Sequence, residues 1–291
     1  MDNSSSLPVG IVKVNGCDSH VVNDLVAVEE PLEIRMGFED TGKRIQKNIS
    51  VTMRTPGNDF ELATGFLFTE GIIKSIADIE SIQHCNGRNE NVIRVELKEG
   101  VKVEINKLER NFYTTSSCGV CGKSSIEAVK TVCRLDDVKV GDTTSFSADI
   151  IYSLPGILRS HQDVFDFTGG LHGCGLFDNS GKLFLSREDV GRHNAVDKLI
   201  GAALHQSLFP LNNYLLLLSG RASFELIQKA WMAGITIIAA IGAPSSLAVQ
   251  MAEESGITLI GFLKNKSFNI YTGSHRIITN QNHLYENSYQ G

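Results

Sequence analysis

The stretch YLLLLSGRAS, residues 214–223, is an apolar run that stops abruptly at Ser219, Gly220 and Arg221. ITIIAAIGAPSS (235–246) and TLIGFLKNKS (258–267) repeat that arrangement. Each apolar run falls well short of the roughly 20 residues that a membrane-spanning helix needs, and each suits a strand buried on both faces. Between them, residues 222–233 and 245–255 read as helices. Short buried strands alternating with helices require right-handed crossovers and a largely parallel sheet. Working backwards, LHGCGLF (171–177), the turn DNSG and KLFLSRE (182–188) read as a β-hairpin, and GRHNAVDKLIGAALH (191–205) as a helix. A helix from about Pro155 would align Leu158, His161 and Phe165 on one stripe, and another is expected from about Ser124, carrying Ile126, Val129 and Val132. The resulting order from about Pro155 is α, β, β, α, β, α, β, α, β.

The first part of the chain has a different rhythm. PLEIRMGFE places Leu32, Ile34, Met36 and Phe38 on one side of a strand, and IQKNISVTM does the same with Ile49, Val51 and Met53. Asp40, Thr41 and Gly42 form the turn between them. In PGNDFELATGFLFTEG the period becomes helical, with Asn58 as cap, Glu61 reaching back to it and Gly71 ending the helix. NVIRVEL and VKVEI, separated by KEG, are expected to form a second hairpin. The chain therefore divides into a mostly β N-terminal domain with one helix, residues 1–112, and an α/β domain over residues 113–291.

With 291 residues, of which 42% are hydrophobic, the chain can bury an ordinary core. MDNSSSLPVG has no basic start followed by an apolar stretch, so a secretory signal is not expected and the protein is read as cytoplasmic. The 27 basic and 33 acidic residues give a formal charge of −6, which argues against a nucleic-acid coat. Anionic ligands would have to be met locally.

Sheets of this kind bind ligands beyond the carboxyl ends of their strands. Ser219, Gly220, Arg221 and Ser223 stand at one such end, Gly242, Ser245 and Ser246 at the next, and Lys264 and Lys266 at the third. Backbone N–H groups at helix starts together with cations suit a pyrophosphate. Glycine and serine also simply make turns, and it is the coincidence of three loops on one rim that favours a site. SREDVGRHNAVDK (186–198) crowds Glu188, Asp189, Arg192, His193, Asn194, Asp197 and Lys198 into one junction. Asp189 is readable as a helix cap and Lys198 as a solvated side chain; Arg192 and His193 are expected to touch a ligand. His172 and Cys174 lie beside Gly169 and Gly170, although a lone histidine there is more often a satisfied core group.

The chain has 6 cysteines, two of them paired in TTSSCGVCGKSSIE (114–127). A reducing compartment disfavours a structural disulfide. A helix starting just after Cys118 and Cys121, with Lys123 nearby, would favour the reactive thiolate. Four chemistries remain. Zinc needs four ligands and this pair supplies two, with no second compact pair in the chain, so no zinc is expected. A thioredoxin-like redox pair fits CGVC, but not the NFYTTSS that precedes it. An inert structural pair is at odds with the glycine- and hydroxyl-rich flanks of an exposed loop. A persulfide carrier, with Cys118 holding a sulfane sulfur, suits such a loop best.

The combination of RTPGNDFELATGFLFTEGII (54–73), SCGVCG (117–122), TGGLH (168–172), REDVGRHNAVDK (187–198), SGRASFE (219–225) and TLIGF…FNIYT (258–272) closely resembles the formate dehydrogenase accessory sulfurtransferase family over about residues 45 to 273. The resemblance implies a cytidine-deaminase-like three-layer α/β/α domain with a mixed sheet beside the smaller β domain, and a homodimer. It implies a sulfurtransferase that takes sulfur from a cysteine desulfurase and passes it to the molybdenum cofactor, a bis-(molybdopterin guanine dinucleotide) bound as substrate, for formate dehydrogenase. Cys118 then corresponds to the persulfide cysteine and Cys121 to its partner, and Phe262, Leu263, Lys264, Asn265, Lys266 and Ser267 to the cofactor stretch. Lys264 stands where arginine is expected and Cys174 where a small apolar residue is usual. LHGC lacks the H-x-E glutamate of zinc deaminases, so deamination is not expected. A redox-inactive cofactor chaperone and a dithiol reductase are the alternatives from other classes.

Overall fold

The computed structural model describes residues 5–85, 91–103, 144–264 and 266–279. The expected helix near Ser124 and the expected boundary at 112 lie outside them. The chain forms two compact units. The first contains residues 1–132, 162–172 and 187–205, and the second residues 133–161, 173–186 and 206–291. The first unit therefore takes in two segments that follow residue 113.

In the first unit, β1 (Ser6–Asn15) and β2 (Asp18–Ala27) make an antiparallel ribbon. β3 (Glu30–Asp40) and β4 (Lys43–Arg54) form a hairpin, in which Asp40 pairs with Lys43 and Thr41 and Gly42 both take positive φ, 49° and 76°. Two positive φ values are what a two-residue turn matching the strand twist requires. β5 (Ile79–His84) and β6 (Val92–Leu97) complete a sheet of order β4-β3-β6-β5, with β3 and β6 parallel. Leu32, Ile34, Met36 and Phe38 are all buried, as their alternation predicts.

β4 departs from its expected phase. A bulge between the Ile34–Ser50 and Arg35–Asn48 pairs leaves Ile49 as the extra residue. One extra residue reverses the side-chain alternation beyond it. Ile49 is buried, but Val51 and Met53 are exposed, and Arg54 is the buried residue at the strand end. In place of the expected hairpin of residues 91–105, β6 pairs with β5 and β3, and residues 101–103 are not in a strand; residues 104 and 105 lie outside the described residues.

Two helices organise this unit, α1 (Asp59–Thr69) and, far along the chain, Arg192–His205. Asn58 precedes α1 in a left-handed conformation, φ 57°, and its side chain makes no capping bond. The expected capping box is absent because Glu61 instead accepts two hydrogen bonds from Arg187, at 2.6 and 2.7 Å. Gly71, φ 69°, does end the helix, its N–H donating to Phe68 O.

In the second unit α2 (Ala148–Arg159) starts seven residues before the expected Pro155. Ser147 caps it by accepting the Ile150 N–H, and Pro155 lies inside. The stripe expected from Pro155 is broken: Leu158 is buried in α2, His161 is exposed, and Phe165 belongs to α3 (Asp163–Thr168), a helix of the first unit. The sheet follows the order β13-β12-β11-β10-β8-β9. Its strands are β8 (His172–Phe177), β9 (Leu183–Asp189), β10 (Leu215–Leu218), β11 (Ile237–Ala240), β12 (Thr258–Lys264) and β13 (Ser267–Thr272). β10, β11 and β12 are parallel, and β8 and β13 run antiparallel to β10 and β12. A small parallel bridge joins β7 (Phe146–Ser147) to β14 (Ile277–Ile278).

Ile151, Leu154 and Leu158 of α2 pack with Leu215, Leu217, Ile237, Ala239 and Ile260 on one face of the sheet. Leu216, Leu218, Ile238, Ala240 and Leu259, which alternate with them, are also buried. Burial on both faces explains why these strands read as unbroken apolar runs. In chain order α4 (Arg192–His205), α5 (Phe224–Met232) and α6 (Ser246–Glu254) complete a mixed α/β fold with six described helices. No described helix is long and apolar enough to cross a membrane.

Candidate functional site

The carboxyl ends of β10, β11 and β12 form a stitched rim. The Ile241 N–H donates to Leu218 O at 3.0 Å, Gly242 N–H to Gly220 O at 2.9 Å, and Phe262 N–H to Gly242 O at 3.1 Å. Ala222 and Pro244 make a parallel bridge, and the Ser245 N–H donates to Ala222 O at 3.0 Å. The loops thus continue the ladder past the strands. Gly242 has to be glycine because a Cβ there would lie 2.9 Å from Gly220 O and 3.0 Å from Arg221 Cα. At Gly261 a Cβ would lie 2.7 Å from Pro244 Cδ.

Ser219 is held from two sides: its N–H donates to Gly173 O at 2.9 Å, and its Oγ accepts the Gly173 N–H at 2.8 Å. The next two N–H groups, of Gly220 and Arg221, have no hydrogen-bond partner among the described residues. Ser245 caps α6 by accepting the Ala248 N–H at 3.2 Å. Unpaired first-turn N–H groups and the helix dipole favour negative charge at that end. Arg221, Lys264 and Lys266 are exposed. A bulge between Gly261 and Lys264 places Phe262 at φ 53° with 42% of its surface exposed, while Leu263 turns into the core. Lys266 also takes a positive φ, 60°, and Ser267 is exposed. A bulky residue held left-handed costs about 1–2 kcal/mol, so β12 carries local strain where its side chains turn outward. The rim thus gathers Ser219, Gly220, Arg221, Ser245, Phe262, Lys264, Lys266 and Ser267 in the second unit. Asn265, Cys118 and Cys121 lie outside the described residues.

Arg192 and His193 belong to the first unit, at the start of α4. The same stretch of chain, 189–198, carries a polar network that the sequence does not announce. Lys198, read as solvated, is 1% exposed. Its Nζ lies 2.7 Å from Asp189 Oδ2 and donates to Thr55 O at 2.8 Å. Asp189, fully buried, accepts from Thr55 N–H at 3.2 Å, Gly191 N–H at 2.8 Å and Asn194 Nδ2 at 3.2 Å. Asn194 Nδ2 also donates to Met53 O at 2.7 Å. Arg54 donates from Nε and Nη2 to both oxygens of Asp59, at 2.9 Å each. Lys198 and Asp189 are therefore structural: they join the segment after β4 to the start of α4. No periodicity marks them, since a buried lysine is recognised only by its partner.

His172 is partly buried, and burial lowers its pKa below the ordinary imidazole value, helped by the charges of Arg192 and His193 and opposed by Asp189. Glu188 moves the other way, raised by burial, although the Val164 and Phe165 N–H groups that it accepts oppose the shift. Cys174 is buried in β8, paired in register with Leu218.

The sequence pattern of the FdhD/NarQ family matches residues 27–278. The chain belongs to the FdhD/NarQ family. Its relatives include the sulfur carrier protein FdhD of Mycolicibacterium paratuberculosis, 53% identical over 260 residues, covering 87% of this chain and 92% of that one. The protein of the same name from Sulfurisphaera tokodaii is 45% identical over 270 residues, covering 93% and 98%. A crystal structure from Desulfotalea psychrophila, described as that of a formate dehydrogenase accessory protein, superposes with a TM-score of 0.72 at 27% identity, covering 94% of this chain and 99% of that one. The FdhD/NarQ match covers both units, so the rim and the network around Asp189 both lie within the family's span.

Proposed function

We propose that this chain is a sulfur carrier that serves formate dehydrogenase. The observation that carries the reading is 53% identity, over nearly the full length of both chains, to a protein named sulfur carrier protein FdhD. The intact SCGVCG motif supports it. In this reading the Cys118 thiolate attacks the outer sulfur of a cysteine desulfurase persulfide. The donor's S–S bond breaks, the donor leaves as a thiolate, and Cys118 holds the new S–S bond, with no net oxidation. Cys121 then either attacks Cys118 Sγ, expelling hydrosulfide and leaving a disulfide that needs a reductant, or assists direct passage of the sulfur. The acceptor is the molybdenum cofactor, bis-(molybdopterin guanine dinucleotide), bound as substrate. Its nucleotide phosphates sit on the rim of Arg221, Ser245 and Lys264, with Phe262, Asn265, Lys266 and Ser267 beside them. The protein works in the cytoplasm as a homodimer.

Loading is tested by mass spectrometry after incubation with cysteine and a desulfurase. Wild type gains increments of about 32 Da, one sulfur atom each, and Cys118→Ala gains none. Equal loading of the variant removes Cys118 as carrier, and absence of loading in wild type favours a cofactor chaperone. The rim is tested separately: Arg221→Ala weakens GDP binding by about tenfold, equivalent to losing one charge-assisted contact, and unchanged affinity displaces the phosphates from this rim.

A further inference from the structure

β1 and β2 pair with each other and, among the described residues, with no other strand. A two-stranded ribbon is at best marginally stable in water, and a third strand or a covering layer is what stabilises it. Leu7, Val9, Val12, Val14, Val21 and Val26 of this ribbon are nevertheless exposed, Val21 at 80%. The ribbon therefore requires cover.

Its two edges differ. The Val28 N–H donates to Ser5 O at 3.0 Å, and alternation from that pair directs the backbone groups of His20, Val22, Asp24 and Val26 towards β1. Those of Ser19, Val21, Asn23 and Leu25 point away from it. Asp24 Oδ1 accepts the Leu25 N–H at 3.0 Å, whereas the N–H groups of Ser19, Val21 and Asn23 have no partner among the described residues. On β1, by the same alternation, Pro8 stands at an outward position and removes a donor there, which guards that edge. β2 carries no proline, no lysine and no bulge. It is the open edge.

Charge says which strand fits it. A strand that pairs antiparallel with its own copy does so about one residue, and centring on Val22 uses nearly all of β2. That register sets His20 against Asp24 of the second copy on both sides of the axis, in non-hydrogen-bonded pairs, where side chains approach closest. Lys13, opposite His20 within the ribbon, adds positive charge on the same face. Centring on Val21 would oppose Asp18 to Asp24, and centring on Asp24 would oppose it to itself. A purely apolar strand would leave Asp24, Lys13 and His20 unanswered. Ala27, whose Cβ lies 3.3 Å from where a Cβ at Gly170 would stand, falls beyond the pairing about Val22.

We propose that β2 pairs with β2 of a second copy of this chain, antiparallel about Val22, to make a continuous four-stranded sheet. The homodimer of the proposed function thereby gains a contact surface, and the proposal rests on that reading for the number of copies alone.

Sedimentation velocity of the full-length chain reads the monomer–dimer equilibrium, and wild type is dimeric. Asp24→Lys, which sets a lysine against Lys13 and His20, weakens dimerisation by about tenfold through two reversed pairs. Adding His20→Asp restores opposite charges and recovers most of the loss. In wild type, hydrogen exchange at the Val21 and Asn23 amides is slow at dimer-forming concentration and fast on dilution. A monomeric wild type overturns the homodimer and this surface together. A dimer whose Val21 and Asn23 amides exchange freely, or one indifferent to Asp24→Lys, overturns the surface and leaves the homodimer standing. Should Asp24→Lys fail to fold, the wild-type exchange decides. Sulfur loading on Cys118 is measured separately, so failure of the carrier reading is distinguished from failure of the interface.

Discussion

Lys198 carries its charge at 1% exposure because Asp189 and the Thr55 carbonyl replace the water it loses. Taking an ammonium and a carboxylate out of solvent costs several kcal/mol per ion, which only good geometry and further hydrogen bonds repay. Asp189 obtains those bonds from Thr55, Gly191 and Asn194. Removing one partner leaves the other charged and buried. Lys198→Met should therefore destabilise the protein by about 3–5 kcal/mol, read as a lower denaturant midpoint. A midpoint matching wild type would mean that Asp189 reaches water. Lys198→Arg is no substitute, because a planar guanidinium does not fit the point-like space of an ammonium. At this scale the sequence was least informative. The motif REDVGRHNAVDK announces chemistry by density alone, and which members face a ligand and which hold the chain together depends on partners 130 or more positions away, such as Thr55.

Helix α1 and helix α4 touch through their backbones. A Cβ added at Gly65 would lie 1.9 Å from Asp197 O, and one at Gly201 would lie 1.9 Å from Glu61 O. Neither neighbour is a flexible side chain, so the helices must separate to admit even a methyl group. Thr69 Oγ1 donates to Asp197 Oδ1 at 2.8 Å along the same contact. Gly201→Ala should therefore cost stability despite alanine's higher helix propensity, whereas Gly156→Ala in α2, where a Cβ meets nothing within 4 Å, should gain up to about 1 kcal/mol. Thermal unfolding of the two variants decides: equal behaviour would show that the α1–α4 contact is loose. Element type was legible because a period of 2 in β3 records one buried face, and short apolar runs set between helical stretches in β10, β11 and β12 record burial on both. Phase was not. The bulge at Ile49 turns Val51 and Met53 outward, and a register shift leaves no mark in a single strand's composition.

The chain passes between its two compact units five times, so neither unit is a continuous stretch of sequence. The rim was legible because all its loops follow apolar runs in one contiguous region, 214–267. The network around Asp189 was harder to see, because it combines the segment after β4 with the start of α4. Interleaving also sets what a fragment can do. Residues 1–112 hold α1 but not α4, so Gly65 loses the helix packed against it, Thr55 loses Asp189 and Lys198, and Met53 O loses Asn194. Small domains bury too little surface to tolerate such a loss. A 1–112 fragment should therefore give a poorly dispersed amide spectrum and no cooperative unfolding transition. Supplying residues 162–205 as a covalent extension, through a flexible linker, should restore both, since it returns α3, α4 and the Arg187 partner of Glu61. If the bare fragment instead folds cooperatively, the β4-β3-β6-β5 sheet with α1 is self-sufficient, and the glycine contact between α1 and α4 joins two independently stable parts rather than completing one.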